Sequence, residues 1–197
     1  MYPYQARLPM AIHDKDAFFD KALIRKLWPG DVELFREHLK RLDPESRRLR
    51  FGGAVSDGFI DDYADTACRL NSVIHGCFVD GILRAAAELR PVLESWPLQA
   101  EAAFSVETPF QDSGLGTELM HRTIVAARNR GINTIYMICL RENGRMRHIA
   151  QKHKADLRFE DDEIAGTVDA PYPTYFTLME EFMGDAQGFV TAVLNWR

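Results

Sequence analysis

Apolar positions recur along this chain with two periods. Val32, Phe35, Leu39 and Leu42 fall at three- and four-residue steps behind Asp31, which predicts one helical face with Asp31 as its N-cap. Asp43-Pro44-Glu45-Ser46 is a second helix start, and residues 57–69 read as a further helix with Asp61, Asp62 and Asp65 outward. Before them, residues 24–28 look like a short strand closed by Pro29-Gly30. Residues 71–79 and 82–89 flank Asp80-Gly81, a hairpin signal, and the short span between that turn and Pro91 favours strands despite the alanines.

From residue 100 a strand alternates, with Phe104 and Val106 on one face and Glu101, Ala103, Ser105 and Glu107 on the other. It passes through a glycine turn into a helix whose apolar half carries Leu115, Leu119, Met120, Thr123, Ile124 and Ala127, ended by Gly131. Residues 134–140 are apolar almost throughout, as in a central strand covered on both faces, so strand, helix and strand form a βαβ unit. Residues 145–153 read as a helix, and 156–160 with 163–169 as a late hairpin. A last helix bears Phe176, Met179, Phe182 and Met183, with Gly184 and Gly188 as the places where it would break.

At 197 residues, 46% hydrophobic and 27% charged, the chain fits one domain with short additions. Residues 1–21, with two prolines and no period, read as an N-terminal arm, 22–170 as the domain and 171–197 as a C-terminal helical extension. A formal charge of −5 gives no reason to expect nucleic acid or an anionic membrane as partner, and is compatible with a cationic substrate. Cys68, Cys77 and Cys139 form no C-x-x-C pair, which argues against a disulfide framework or a cysteine zinc site and for a cytoplasmic setting. His148 and His153 are five apart and face different ways on a helix, so no metal site is expected. No apolar run approaches a membrane span, and the N-terminus lacks the pattern of a signal peptide. The basic run from Arg47 to Arg50 reads as a solvated helix face, with contact to a substrate or partner as the alternative.

The candidate chemistry lies where the strand from residue 100 enters its helix. Gly114 and Gly116 let backbone approach a ligand closely, and the first helical turn offers unpaired N–H groups to an anion. Gln111-Asp112-Ser113-Gly114-Leu115-Gly116 matches the Q/R-x-x-G-x-G/A signature, and on these residues the chain resembles the GNAT superfamily of acetyl-coenzyme-A-dependent N-acetyltransferases. Asn143 opens an Asn-x-x-Met-x-x-Ile-Ala pattern similar to that family's later cofactor-contacting helix, and residues 24–51 resemble the opening of Pat-type bacterial protein lysine acetyltransferases. The resemblance covers residues 22–170. It implies an α/β GNAT-like fold, a mixed, mostly antiparallel sheet flanked by helices, whose central parallel strands splay around coenzyme A. It also implies that the backbone of Phe104, Ser105 and Val106 pairs with pantetheine, and that the amides of Asp112, Ser113, Gly114, Leu115, Gly116 and Thr117 hold the pyrophosphate. Gln111, Asn143 and Met146 complete the cofactor set, and an N–H near Ser105 or Val106 would polarise the thioester carbonyl.

The implied activity is acetyl transfer by direct attack of a primary amine, a protein lysine or a small molecule. Such an amine has a pKa of about 10.4, so a base must take its proton. Glu101 is the first candidate, near where related acetyltransferases place a glutamate, and Glu107 is a weaker one beside Glu88. The usual acid, a tyrosine seven residues after the asparagine, is replaced by Ala150, leaving Tyr136, Tyr172 or Tyr175 as substitutes, or no acid at all, since a thiolate is a tolerable leaving group. Lys154-Ala155 stands where a glycine often precedes the late strand, and Cys139 is a core residue or a minor nucleophile. The competing class is a non-catalytic acetyl-coenzyme-A sensor, and the Phe- and Met-bearing tail offers a homodimer surface.

Overall fold

The computed structural model describes residues 22–69, 72–92, 95–160, 163–170 and 172–194, so the N-terminal arm lies outside the described residues. Strands β1 (Ala22–Lys26), β2 (Val73–Val79), β3 (Ile82–Pro91), β4 (Gln99–Val106), β5 (Thr134–Leu140), β6 (Asp156–Glu160) and β7 (Glu163–Asp169) form one sheet in the order β1-β2-β3-β4-β5-β7-β6. Every neighbouring pair is antiparallel except β4 and β5. That parallel pair holds only from Gln99 opposite Thr134 to Glu101 opposite Tyr136. Beyond it the strands part and open a cleft in the middle of the sheet.

Helices α1 (Val32–Arg41), α2 (Pro44–Phe51) and α3 (Asp57–Arg69) cover one face of β1 to β4. Phe35, Leu39, Ile60 and Ala64 pack there with Ile74, Leu83 and Ala86. The other face receives α4 (Leu115–Asn129), whose Met120, Ala126 and Ala127 meet Leu89, Ala100, Ala102, Ile135 and Met137. Helix α5 (Gly144–Lys152) follows β5, and α6 (Tyr175–Leu194) packs against β1 and α4.

Packing outweighs capping at the start of α1. Asp31 makes no side-chain cap bond to that helix; its carboxylate instead accepts from Arg25 and from the Trp28 amide at 2.8 Å. A missing cap costs about 1 kcal/mol, whereas burying Phe35 and Leu39 contributes about 2–3 kcal/mol each. Asp43 does cap α2, accepting from the Glu45 and Ser46 amides at 3.0 Å.

Two other expectations are corrected. Strand β5 is not covered on both faces, since the α1–α3 layer packs mainly on β1 to β4 and leaves Ile138 59% exposed. Helix α6 runs unbroken through Gly184 and Gly188. Asn129 at the end of α4 and Arg130 just beyond it clamp it, bonding Glu181 at 2.7 Å each, and such ties offset the roughly 1 kcal/mol that a mid-helix glycine costs. Phe176, Phe182 and Met183 nonetheless point to solvent.

Candidate active site

The gap between β4 and β5 is a cleft of about 400 Å³. One wall is β4 and the turn after it, another is α5 with Met146, His148, Ile149 and Lys152, and α2 contributes Ser46, Leu49 and Arg50. The phase of the β3–β4 ladder decides which groups face it. Glu107 N–H donates to Arg84 O at 3.0 Å, and antiparallel bonding alternates, so Ser105, paired with Ala86, also turns its amide to β3. Phe104 and Val106 therefore direct their amides into the gap. Of the two amides expected as carbonyl donors, the one at Val106 points into the gap and the one at Ser105 is turned to β3.

Asp112 (φ +58°) and Gly114 (φ +99°) are both left-handed, which folds the turn into a concave cradle at the start of α4. The amides of Asp112, Ser113, Gly114 and Gly116 find no backbone acceptor among the described residues, so four donors converge at a helix N-terminus. Thr117 differs from expectation because its amide donates to Gly114 O at 3.0 Å, and only its side-chain side reaches the cleft. Leu115 is buried core beneath the turn, and Ser113 Oγ donates downward to Phe110 O at 2.6 Å. Gln111 lines the cleft, yet its Nε2 donates to Val106 O at 2.9 Å and Ser46 Oγ at 3.1 Å, so the side chain shapes the wall. A Cβ on Gly116 would sit 2.5 Å from Ile149 Cδ1, which makes that glycine the contact point between α4 and α5. Asn143 caps α5 by accepting from the Met146 amide at 3.0 Å and lines the cleft beside it.

Arg50 overturns the solvated reading of the basic run. Arg47 and Arg48 pair with surface carboxylates, but Arg50 is buried against Glu88 while still lining the cleft. Glu88 is 1% exposed and also accepts from Tyr63 and Arg90, each at 2.8 Å. Burial would raise its carboxyl, and Arg50 and Arg90 outweigh that and hold it below the usual range. Glu88 is thus a fixed anion and a poor proton acceptor.

The two carboxylates expected for base chemistry lie apart. Glu101 is exposed, outside the cleft lining, at the vertex where β4 pairing to β5 ends and beside Tyr136. Glu107 is buried, and its oxygens accept from Arg41 at 2.9 Å and Arg84 at 2.8 Å. Burial alone would push Glu107 up; bonds from His38 and Arg84 override it and keep it ionised. Among the described residues no tyrosine lines the cleft, Ala150 is core, and Cys139 is a buried thiol pushed up by burial. Lys154 holds φ +57°, the left-handed geometry a glycine would take. Among the described residues no cluster of three potential metal ligands occurs.

Sequence reasoning passed over His38. It is fully buried, with Nε2 2.9 Å from Ser105 Oγ and Nδ1 3.3 Å from Glu107 Oε1. The available signal was its place on the apolar stripe of α1 between Phe35 and Leu39, where a polar ring must find buried partners.

The model of the acetyltransferase (GNAT) family matches residues 44–155, more than half of the chain. An acetyltransferase of Pseudomonas aeruginosa is 29% identical over 134 residues, 64% of this chain and 70% of that protein. Among solved structures, the GNAT domain of S. lividans PAT superposes with a TM-score of 0.63 at 21% identity, covering 74% of this chain and 89% of that one. The PaiA N-acetyltransferase from Thermoplasma acidophilum, in complex with coenzyme A, gives 0.56 at 18% identity over 75% and 98%. At such identities the two superpositions speak for the fold.

Proposed function

Because the chain belongs to the GNAT acetyltransferase family, an acyltransferase family that takes acetyl-coenzyme A as cofactor, we propose that it acetylates a primary amine by direct attack in a ternary complex. The observation that carries this reading is the parted β4–β5 pair with a cradle of free amides at its mouth. In this reading the amides of Asp112, Ser113, Gly114 and Gly116 hold the pyrophosphate, and Thr117 adds its hydroxyl. Phe104 offers its amide to the pantetheine arm, Met146 and Ile149 cover that arm, and the Val106 N–H polarises the thioester carbonyl. Gln111 and Asn143 act by holding the strand end and α5 in place.

Glu101 is the proposed base, reached through water. It sits on the open sheet face with Tyr136 and Ile138 beside it, a shallow approach that suits a lysine presented on a protein surface better than a small amine needing enclosure. The proposed setting is cytoplasmic, and the apolar stripe of α6 is the surface a homodimer would use. That no tyrosine among the described residues lines the cleft favours one competitor, a non-catalytic acetyl-coenzyme-A sensor.

The test combines calorimetric titration of coenzyme A with thiol release over a panel of lysine peptides and polyamines. Turnover that drops about 10²-fold or more in Glu101→Gln, with coenzyme A affinity unchanged, is the expected result. Binding without turnover on every acceptor would favour the sensor, and no binding would end the cofactor reading.

A further inference from the structure

Direct transfer to an amine leaves one array on the cleft wall unused. Ser105, 5% exposed, lines the cleft and turns its side chain toward α1, where His38 Nε2 waits at 2.9 Å. Behind the imidazole lies Glu107, 3.3 Å from Nδ1, itself fixed by Arg41 and Arg84. Arg41 is anchored in turn by a 2.8 Å bond to Leu83 O, so the carboxylate cannot swing away without breaking several contacts.

The hydrogen positions follow from this arrangement. Glu107, ionised between two guanidinium groups, can only accept, so His38 must carry its hydrogen on Nδ1. Burial presses His38 toward its neutral form, more than Glu107 favours the charged one, which leaves Nε2 as a bare acceptor. The Ser105 hydroxyl must then donate to Nε2, with its lone pairs free. Serine, neutral histidine with an open nitrogen, and a carboxylate that fixes the tautomer stand in the order of a nucleophilic triad. The amide of the following residue, Val106, faces the same cleft, where a donor for a developing oxyanion belongs.

We propose that Ser105, His38 and Glu107 give the protein a second activity, cleavage of the acetyl thioester without an amine through an acetyl-Ser105 intermediate. This rests on the reading that acetyl-coenzyme A occupies the cleft. Ser105 Oγ forms a bond to the acetyl carbonyl carbon while His38 Nε2 takes the hydroxyl proton. The carbon–sulfur bond breaks, and His38 returns that proton to the departing sulfur as coenzyme A. Water then attacks the ester carbonyl, gives its proton to His38, and the Oγ–carbon bond breaks with reprotonation of Ser105, releasing acetate. Because Ser105 is nearly buried, water reaches the ester slowly and the acetyl group persists long enough to be trapped. A merely structural role, tying α1 to β4, would use the same contacts but would never place an acetyl group on the serine.

The full chain, incubated with acetyl-coenzyme A and no amine, is followed by thiol release, acid quench, digestion and peptide mass mapping. The expected result is one acetyl group on the peptide containing Ser105, and acceptor-free thiol release that falls about 10²-fold or more in Ser105→Ala and in His38→Gln. Ser105→Ala removes one small atom, and calorimetric titration of coenzyme A with a thermal melt establishes that it still folds and binds. Thiol release in Ser105→Ala at the wild-type rate, or no acetyl on Ser105 in a wild-type protein that binds coenzyme A, overturns the proposal and leaves the amine reading standing. Failure of the wild-type chain to bind coenzyme A overturns both.

Discussion

Gly114 is where one methyl group should separate the cofactor cradle from the rest of the fold. It holds φ +99° and ψ −8° as N-cap of α4, and its carbonyl accepts from the amides of Thr117 at 3.0 Å and Glu118 at 3.1 Å. A side chain in left-handed geometry costs about 1–2 kcal/mol. At about 2–4 °C per kcal/mol for a chain of this size, Gly114→Ala should melt roughly 2–8 °C lower. Relief of the strain by rotation at residue 114 re-aims the amides of Ser113, Gly114 and Gly116, which converge only in the present geometry. Losing one hydrogen bond to a charged phosphate removes about 1.5–3 kcal/mol, which is roughly a 10- to 100-fold weaker dissociation constant. Calorimetric titration reads this directly, and a pantetheine fragment without the pyrophosphate supplies the control, because its affinity should not change. A Gly114→Ala protein that melts lower yet binds coenzyme A within twofold of wild type would refute the assignment of the anion to this turn.

Other consequences concern the buried charges. Glu88→Gln removes the counter-charge of Arg50 and should cost about 3–5 kcal/mol in urea unfolding; a loss below about 1 kcal/mol would show that the network is replaceable. His75 is buried, its Nδ1 has no partner among the described residues, and burial presses it down to about 3. Since this folded value lies below the unfolded one near 6.5, the unfolded chain binds the extra proton first, and stability falls as pH drops from 6.5 toward 3. By pH 5 the loss is about 2 kcal/mol, and His75→Leu should flatten that part of the curve; an unchanged slope between pH 7 and 5 would remove His75 as its cause.

What was legible in the sequence was local. The steps of Phe35 and Leu39, the Asp80-Gly81 hairpin and the Gln111–Gly116 turn encode their own geometry within a few residues, and the structure follows them. The misread features depend on partners far along the chain. Arg50 looked like one more solvated arginine because Glu88, 38 positions away, cannot be paired with it from spacing alone. The apolar run of β5 suggests two covered faces, but only the lateral extent of the α1–α3 layer decides that Ile138 meets solvent. Likewise, alternation tells which side chains of β4 share a face and says nothing about ladder phase, so the aim of the Ser105 and Val106 amides appears only with β3 in place.

That phase gives β4 a direction. Glu101 and Glu107 share a face six residues apart, about 20 Å along an extended strand, and nothing in their immediate neighbours distinguishes their chemistry. Position relative to the vertex does. Pairing with β5 is intact at Glu101, so an extended arm lying along Phe104 and Val106 can advance no further than about Ala102. With its thioester at the Val106 amide, the reactive end lies five residues, about 16 Å along the strand, from Glu101, a span for a chain of waters across the face where Tyr136 and Ile138 leave room for an acceptor. Glu107, at the other end, is buried against Arg41, Arg84 and His38, which hold it ionised. A carboxylate so placed can orient the His38 ring but cannot serve an incoming amine. The strand therefore separates two kinds of chemistry by length alone: amine deprotonation belongs at its paired end, and whatever Ser105 does belongs at its parted one.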